Sequence, residues 1–270
     1  FTSWLPSGSG DAIMEGKFQQ TFSFGRLRMN SFSDIHCHLL PGVDDGAQDL
    51  DTSLQMLREA KAGGVERLAL TPHFYPLRED LASFVQRRQN AFDVLLPHWN
   101  ADTMPQLKLG AEVHYTAELT RMDLRRLTYA DSDYMLLELP ADFQPPHIRQ
   151  VLQTIVDRGV TPILAHVERY SYFRKTPDLL LQLIHLGALA QVTLQSLDSR
   201  EDKGFSVACL KKGLAHVVAS DAHDLREREA ADLWGETVVC TEEFARAIWN
   251  NECPPAFSIA PVKKGIFVYH

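Results

Sequence analysis

Residues 33–46 read Ser33-Asp34-Ile35-His36-Cys37-His38-Leu39-Leu40-Pro41-Gly42-Val43-Asp44-Asp45-Gly46. The stretch opens as a strand over Ser33–His38, and Asp44-Asp45-Gly46 falls in the loop behind it. His36 and His38 are two residues apart, so a strand points both imidazoles to the same side, with Cys37 turned away between them.

The same pattern, a short apolar run ending in a polar group, recurs down the chain. Further strands are predicted at Arg67–Thr71, Gln106–Ala111, Tyr134–Leu139, Thr161–Ala165, Ala188–Leu194 and His216–Ser220. Amphipathic stretches lie between them. Asp51–Ala62 carries Leu54, Met56 and Leu57 and stops at Gly63-Gly64; Pro146–Asp157 carries Ile148, Leu152, Ile155 and Val156 and stops at Gly159. Glycine just past the last turn is the expected C-terminal helix signal. Strands alternating with helices imply an α/β fold with parallel strands and crossover helices. An open doubly wound sheet would satisfy this, but the even spacing of seven strand–helix units favours a closed or nearly closed barrel.

Potential metal ligands fall at the strand ends. His36 and His38 end the first strand, His73 the second, Glu112 the third, Glu138 the fourth, His166 the fifth, and Asp221 with His223 the seventh; Asp45 lies in the first loop. Catalytic groups of βα barrels gather at this end of the strands. Taken singly, a strand-end acid reads as a cap for the next helix and a buried His as a hydrogen-bonded core residue. Together they would form a desolvated cluster that is costly without cations. Nine groups exceed the needs of one ion. Bridging carboxylates and two or three divalent ions would use them all. Imidazole with carboxylate and no thiolate suits manganese, the first expectation, or iron or zinc. Such clusters activate a bridging water and clamp phosphoryl oxygens during in-line displacement.

Composition sets the outer bounds. The chain has 270 residues, 45% hydrophobic, enough for one sizeable core. A net charge of −8 without a basic stripe argues against nucleic acid as a partner. The four cysteines, Cys37, Cys209, Cys240 and Cys253, form no CxxC pair, so free thiols in a reducing compartment fit better than a disulfide framework. No apolar run is long enough to span a membrane and no secretory leader is recognised, so a cytoplasmic protein without membrane insertion is expected. Residues 1–32 contain Pro6-Ser7-Gly8-Ser9-Gly10 together with Trp4, Phe18, Phe22 and Phe24, and read as a peripheral arm preceding a domain over 33–270. Nothing in the sequence sets the oligomeric state.

His36-Cys37-His38 with Asp44-Asp45-Gly46 resembles the opening motif of the polymerase and histidinol phosphatase (PHP) superfamily. Thr71-Pro72-His73, Gly110-Ala111-Glu112-Val113, Ala165-His166-Val167-Glu168-Arg169 and Ala219-Ser220-Asp221-Ala222-His223 extend the likeness to its bacterial tyrosine-phosphatase branch, which acts in capsule and exopolysaccharide pathways. The resemblance covers residues 33–250 and implies a distorted (β/α)7 PHP-type barrel with a trinuclear centre. His36, His38, Glu112 and Asp221 would then hold one ion. Glu112 would bridge to a second, bound also by Glu138 and His166, and Asp45, His73 and His223 would hold the third. Arg169 and Arg228 would bind substrate phosphate, and these two with Asp221 are the expected catalytic residues. Guanidinium suits that role because its planar fork matches phosphate oxygens. Arg226 is a rival to Arg228. Gln191–Ser196 follows the family's sixth-strand segment only loosely.

The activity implied is a metal-dependent protein-tyrosine phosphatase that works by a metal-bridged hydroxide, with a phosphotyrosine protein such as a bacterial tyrosine kinase as substrate. The alternatives are a small-molecule phosphatase of the histidinol-phosphate type and a metal-free, non-catalytic binding module. Cys240 and Arg246 have the Cys-x5-Arg spacing of thiol phosphatases, but Thr241-Glu242-Glu243-Phe244-Ala245 between them is no phosphate cradle. His98, His114, His147, His185, His216 and His270 read as hydrogen-bonded or solvent-facing, with His114 close enough to Glu112 for a supporting role.

Overall fold

The computed structural model describes residues 32–224 and 239–253. Residues 1–31 of the expected arm, and Arg226 and Arg228, lie outside these.

Nine strands are described: β1 (Phe32–Cys37), β2 (Val65–Leu70), β3 (His73–Phe74), β4 (Gln106–Leu109), β5 (Glu112–His114), β6 (Tyr134–Glu138), β7 (Thr161–Leu164), β8 (Leu189–Thr193) and β9 (Val217–Ala219). They form two sheets, ordered β1-β2-β4 and β3-β5-β6-β7-β8-β9, and every pairing is parallel. The strands expected at Arg67–Thr71 and Gln106–Ala111 are each followed by a second short strand that belongs to the other sheet. The first break falls at Thr71-Pro72, where proline has no N–H for a ladder. The second falls at Gly110-Ala111. A Cβ on Gly110 would stand 2.7 Å from a ring carbon of Tyr129, so the chain passes too close to that ring for any larger residue. Among the described residues the two sheets do not merge into one continuous ladder. Between β1 and the segment after β9 there is a parallel bridge, Cys37 to Ala222, with backbone bonds from Asp221 N to His36 O (2.8 Å) and from His38 N to Ala222 O (2.9 Å).

Helices α1 (Leu50–Ala62), α2 (Leu81–Leu95), α3 (Ile148–Asp157), α4 (Ser171–Lys175), α5 (Pro177–His185) and α6 (Lys203–Lys212) connect the strands, and α7 (Val239–Asn250) follows. Asp49 caps α1 by accepting from Thr52 N, and Asp80 caps α2 by accepting from Ala82 N and Ser83 N. In α3, Ile148, Val151, Leu152 and Ile155 make one buried stripe. That helix starts at Ile148 rather than Pro146 because His147 is left-handed, at φ 57°.

Most apolar burial lies in an extended core that includes α1, α3 and α5. A separate cluster unites Ile35, Ala69, Leu136, Ile163, Leu189 and Val217 from the strands with Phe244, Ala245 and Ile248 of α7. The larger of these, such as Ile35, Leu136, Ile163 and Val217, each contribute about 1.5–3 kcal/mol by burial. Glu242 of α7 accepts from Ser33 N at 2.7 Å, so α7 sits at the start of β1 and leaves the carboxyl ends of the strands for chemistry. Cys240 and Arg246 fall within α7, a helix rather than a phosphate-binding loop.

Candidate metal centre

The alternation of β1 is interrupted by a bulge: between Asp34 and Cys37 two residues face one on β2. The bulge lets Ile35 fill the core with its neighbours while His36 and His38 still converge, their Nε2 atoms 3.2 Å apart. Cys37 turns the other way and donates its thiol to Ala69 O. Each imidazole is held from behind. His36 Nδ1 lies 3.2 Å from Gln191 Oε1. The same oxygen accepts from His166 N at 2.9 Å, which fixes it as the carbonyl end of the amide. His38 Nδ1 lies 2.8 Å from Asp44 Oδ2, which also accepts from His73 N at 3.0 Å. A ring whose Nδ1 donates presents the Nε2 lone pair to a cation.

Those Nε2 atoms meet two buried carboxylates. His36 is 3.3 Å from Glu112 Oε2 and 3.1 Å from Asp221 Oδ1; His38 is 3.2 Å and 3.4 Å from the same atoms. His73 Nδ1 approaches Glu112 Oε2 at 3.0 Å, and His166 Nε2 approaches Glu112 Oε1 at 2.9 Å and Glu138 Oε1 at 3.9 Å. Asp45 Oδ1 lies 3.4 Å from His73 Nε2 and 3.5 Å from His223 Nε2. His166 and Asp221 hold these positions with left-handed backbones, at φ 31° and 54°. Such strain is uncommon outside glycine and clusters at functional sites.

Electrostatics make the cluster demanding. Burial opposes charge on His36, but Glu112 and Asp221 beside it raise its pKa to about 10. Burial pushes the Glu112 and Asp221 carboxyls up, yet the neighbouring imidazoles, His36 above all, hold both well below the ordinary range. Both are therefore anionic at neutral pH. Despite the crowding, Glu112 Oε2 and His73 Nδ1 are buried with close ion-pair contacts but no well-formed hydrogen bond, and Asp221 Oδ2 has Arg169 as its partner. Unsatisfied buried groups at such spacing are unfavourable as they stand and become favourable once cations bind. Ligand atoms within 4.8 Å of one another fall into three sets: His36, His38, Glu112 and Asp221; His38, Asp45, His73 and His223; and His73, Glu112 and Glu138. The residues thus fit divalent cations.

All nine sequence-named residues are brought together, and His38 falls in the Asp45 set as well as in its own. His73 joins the Glu112–Glu138 set as well as the Asp45 set, and His166 reaches that region through Glu112. Arg169 does not pair with Glu168. Its Nη2 lies 2.5 Å from Asp221 Oδ2, with the side chain half exposed at the mouth, while Glu168 is buried and accepts from Thr193 N and Oγ1. The sequence reading missed the roles of Asp44 and Gln191 behind the ligand histidines. Asp44 could have been found, since it adjoins Asp45 and shares its loop with the His-x-His pair; Gln191 leaves no local signal. His114 supports Glu138, with Nδ1 at 3.0 Å from Oε2. His216 is buried and accepts from Ala190 N.

The profile of the family described as "Capsular polysaccharide synthesis, CpsB/CapC" matches residues 32–236. The chain is 34% identical over 203 residues to the tyrosine-protein phosphatase YwqE of Bacillus subtilis, covering 72% of this chain and 78% of that protein. It is 31% identical to the tyrosine-protein phosphatase CpsB of Streptococcus pneumoniae, covering 72% and 84%. A solved structure described under YwqE and CpsB as "unique metal-dependent tyrosine phosphatases" superposes with a TM-score of 0.73 at 30% identity, covering 86% of this chain and 99% of that one.

Proposed function

The chain belongs to the CpsB/CapC family of capsular polysaccharide synthesis, and on that footing we propose that it is a metal-dependent protein-tyrosine phosphatase acting in capsule or exopolysaccharide regulation. The observation that carries the reading is the convergence of nine imidazole and carboxylate groups, His166 through its contact with Glu112, at the carboxyl ends of parallel strands. A distorted (β/α)7 barrel is the architecture proposed over residues 33–270, with 1–32 as an arm. It is supported by the parallel strand order and by the bridge between Cys37 and Ala222.

Three divalent ions, manganese first, are the proposed complement. His36, His38, Glu112 and Asp221 would hold one, and Glu112 with Glu138 and His166 a second. Asp45, His73 and His223 would hold the third. Bound there, the ions supply Lewis acidity and lower the pKa of a water nucleophile. The chain's own groups do the rest. Gln191 and Asp44 orient the ligand rings. Glu112, shared among four histidines, sets the spacing of the cluster. Arg169, half exposed beside Asp221, would take a phosphate oxygen as charge builds in the transition state. Arg228 is the second phosphate ligand of this proposal. The proposed substrate is a phosphotyrosine on a protein, a bacterial tyrosine kinase being the expected partner. No helix among the described residues is long and apolar enough to cross a membrane.

The test is a comparison of specificity constants for phosphotyrosine peptides, phosphoserine peptides and histidinol phosphate, with manganese and after chelation. Phosphotyrosine should lead by at least an order of magnitude and the chelated protein should be silent. A lead for histidinol phosphate, or turnover that survives chelation, overturns the reading.

A further inference from the structure

A tyrosine phosphate brings about two negative charges to a chain whose own net charge is −8, so it needs donors beyond Arg169, which already reaches Asp221. The hydroxyls of Thr71, Tyr115 and Ser220 each lie close in sequence to a candidate ligand, but they donate to the backbone carbonyls of Cys37, Pro146 and His36. Tyr75 differs. Two residues beyond His73, its hydroxyl makes no hydrogen bond among the described residues.

The Tyr75 ring lies against the cluster itself. Its centroid is 5.3 Å from that of His73 and 5.4 Å from that of His114, whose Nδ1 is 3.0 Å from Glu138 Oε2. The side chain is partly exposed, so solvent or substrate can reach it. Burial raises the phenol's pKa to about 12 and the carboxylates of Glu138, Glu112 and Asp45 add to the rise, which places its oxygen within electrostatic reach of all three. The ring is also held from outside. Arg78 N and Glu79 N donate to Tyr75 O, and the Arg78 guanidinium stands 4.8 Å over the ring. Tyr75 and Arg169 follow β3 and β7, and between those strands lie β5 and β6 with Glu112 and Glu138. The two residues therefore come to the cluster from different sides. Packing alone would not require a hydroxyl here, since phenylalanine fills the same space without presenting an unpaired donor.

We propose that Tyr75 is a substrate-binding residue whose hydroxyl donates a hydrogen bond to a phosphate oxygen, on the side of the cluster away from Arg169. This rests on the tyrosine-phosphatase reading and deepens it. A phenol suits the place because it offers a donor without a charge. An ammonium or guanidinium beside Glu138, Glu112 and Asp45 would compete with metal ions for those carboxylates, whereas a neutral hydroxyl leaves them free. The contact involves no proton transfer: Tyr75 keeps its proton throughout and acts by holding the phosphate in place.

The experiment compares the wild type, Tyr75→Phe and Tyr75→Ala. Manganese content and melting temperature are measured first, then the binding of inorganic phosphate to the manganese-loaded protein by calorimetry, then kcat and KM on a phosphotyrosine peptide and on p-nitrophenyl phosphate. Tyr75→Phe removes the hydroxyl and keeps the ring on His73 and His114. It should hold its manganese and melt with the wild type, yet bind inorganic phosphate about tenfold more weakly, the scale of one hydrogen bond to a charged group. Its kcat/KM should fall by a similar factor on both esters, because the phosphate is what they share. Tyr75→Ala, which also strips the ring from His73, should lose manganese affinity as well. Phosphate binding by Tyr75→Phe equal to that of the wild type overturns the proposal. So does loss of manganese from Tyr75→Phe, which would make the hydroxyl a support for the metal centre. If the wild type hydrolyses neither ester, the phosphatase reading fails, and the phosphate titration still decides the role of Tyr75.

Discussion

Four imidazoles press on one carboxylate. His36, His38, His73 and His166 all lie within 3.3 Å of an oxygen of Glu112, and Asp221 takes a share of the first two. Removing a carboxylate from such a group removes the charge that offsets a cation, so Asp221→Ala should lose metal and activity together. Elemental analysis beside an activity assay checks this, and full metal content in an inactive variant would contradict it. Arg169 makes a different expectation, because a guanidinium carries its own positive charge and offers no lone pair to a metal ion. Arg169→Ala should keep its metal while turnover of phosphotyrosine falls tens- to hundreds-fold, the scale of about 2–4 kcal/mol for one transition-state contact. Arg169→Lys should recover only part, since an ammonium lacks the planar fork. The convergence of these residues was legible in the sequence because a strand end is a definite place and a His-x-His pair has a definite side. Arg169's partner was not, since Asp221 lies far away along the chain and comes near only through folding.

At the level of elements, the loop after β1 is shaped by a contact that sequence spacing does not reveal. A Cβ on Gly46 would stand 1.9 Å from the carbonyl oxygen of His38. That closeness lets Asp44 reach back to His38 Nδ1 and bond Gly46 N. Gly46→Ala must push the loop outward, at a cost of about 1–3 kcal/mol, and release the ring that Asp44 orients. The expected outcome is a folded protein with a lower melting temperature and weakened metal affinity, read by calorimetry and metal titration. Helix positions were legible from apolar spacing and glycine stops, as in α1 and α3. The transfer of the chain between sheets at Gly110-Ala111 was not, because it depends on what packs beside Gly110, the ring of Tyr129, rather than on any local pattern.

Across the whole molecule, His216 ties three parts together. It begins the segment entering β9, accepts from Ala190 N of β8 and packs edge-on against Phe244 of α7. Burial is the main cause of its pKa falling from 6.5 to about 4. The fold therefore keeps this ring neutral between those values, where the unfolded chain takes up a proton. Stability from this group is complete above pH 6.5 and is lost as pH falls towards 4, by about 3 kcal/mol. Urea unfolding of the chelated protein at pH 7 and pH 4.5 should show a gap between the two conditions that narrows by about 2 kcal/mol in His216→Gln.

The seam between β1 and the segment after β9 has a consequence in time. It joins parts of the chain remote in sequence through the Asp221 N–His36 O and His38 N–Ala222 O bonds. His36, His38 and Asp221, the residues at that seam, also share one candidate ligand set. Cations bound there would rivet the join from inside, and stripping them would let it breathe. Deuterium uptake at the amides of His38 and Asp221 should then act as a clock for occupancy, slow with manganese and quick with chelator, while the amides between β6 and β7 keep one pace throughout. Exchange mass spectrometry resolves the two rates, and an unchanged clock at the seam would mean that the join holds without its rivets.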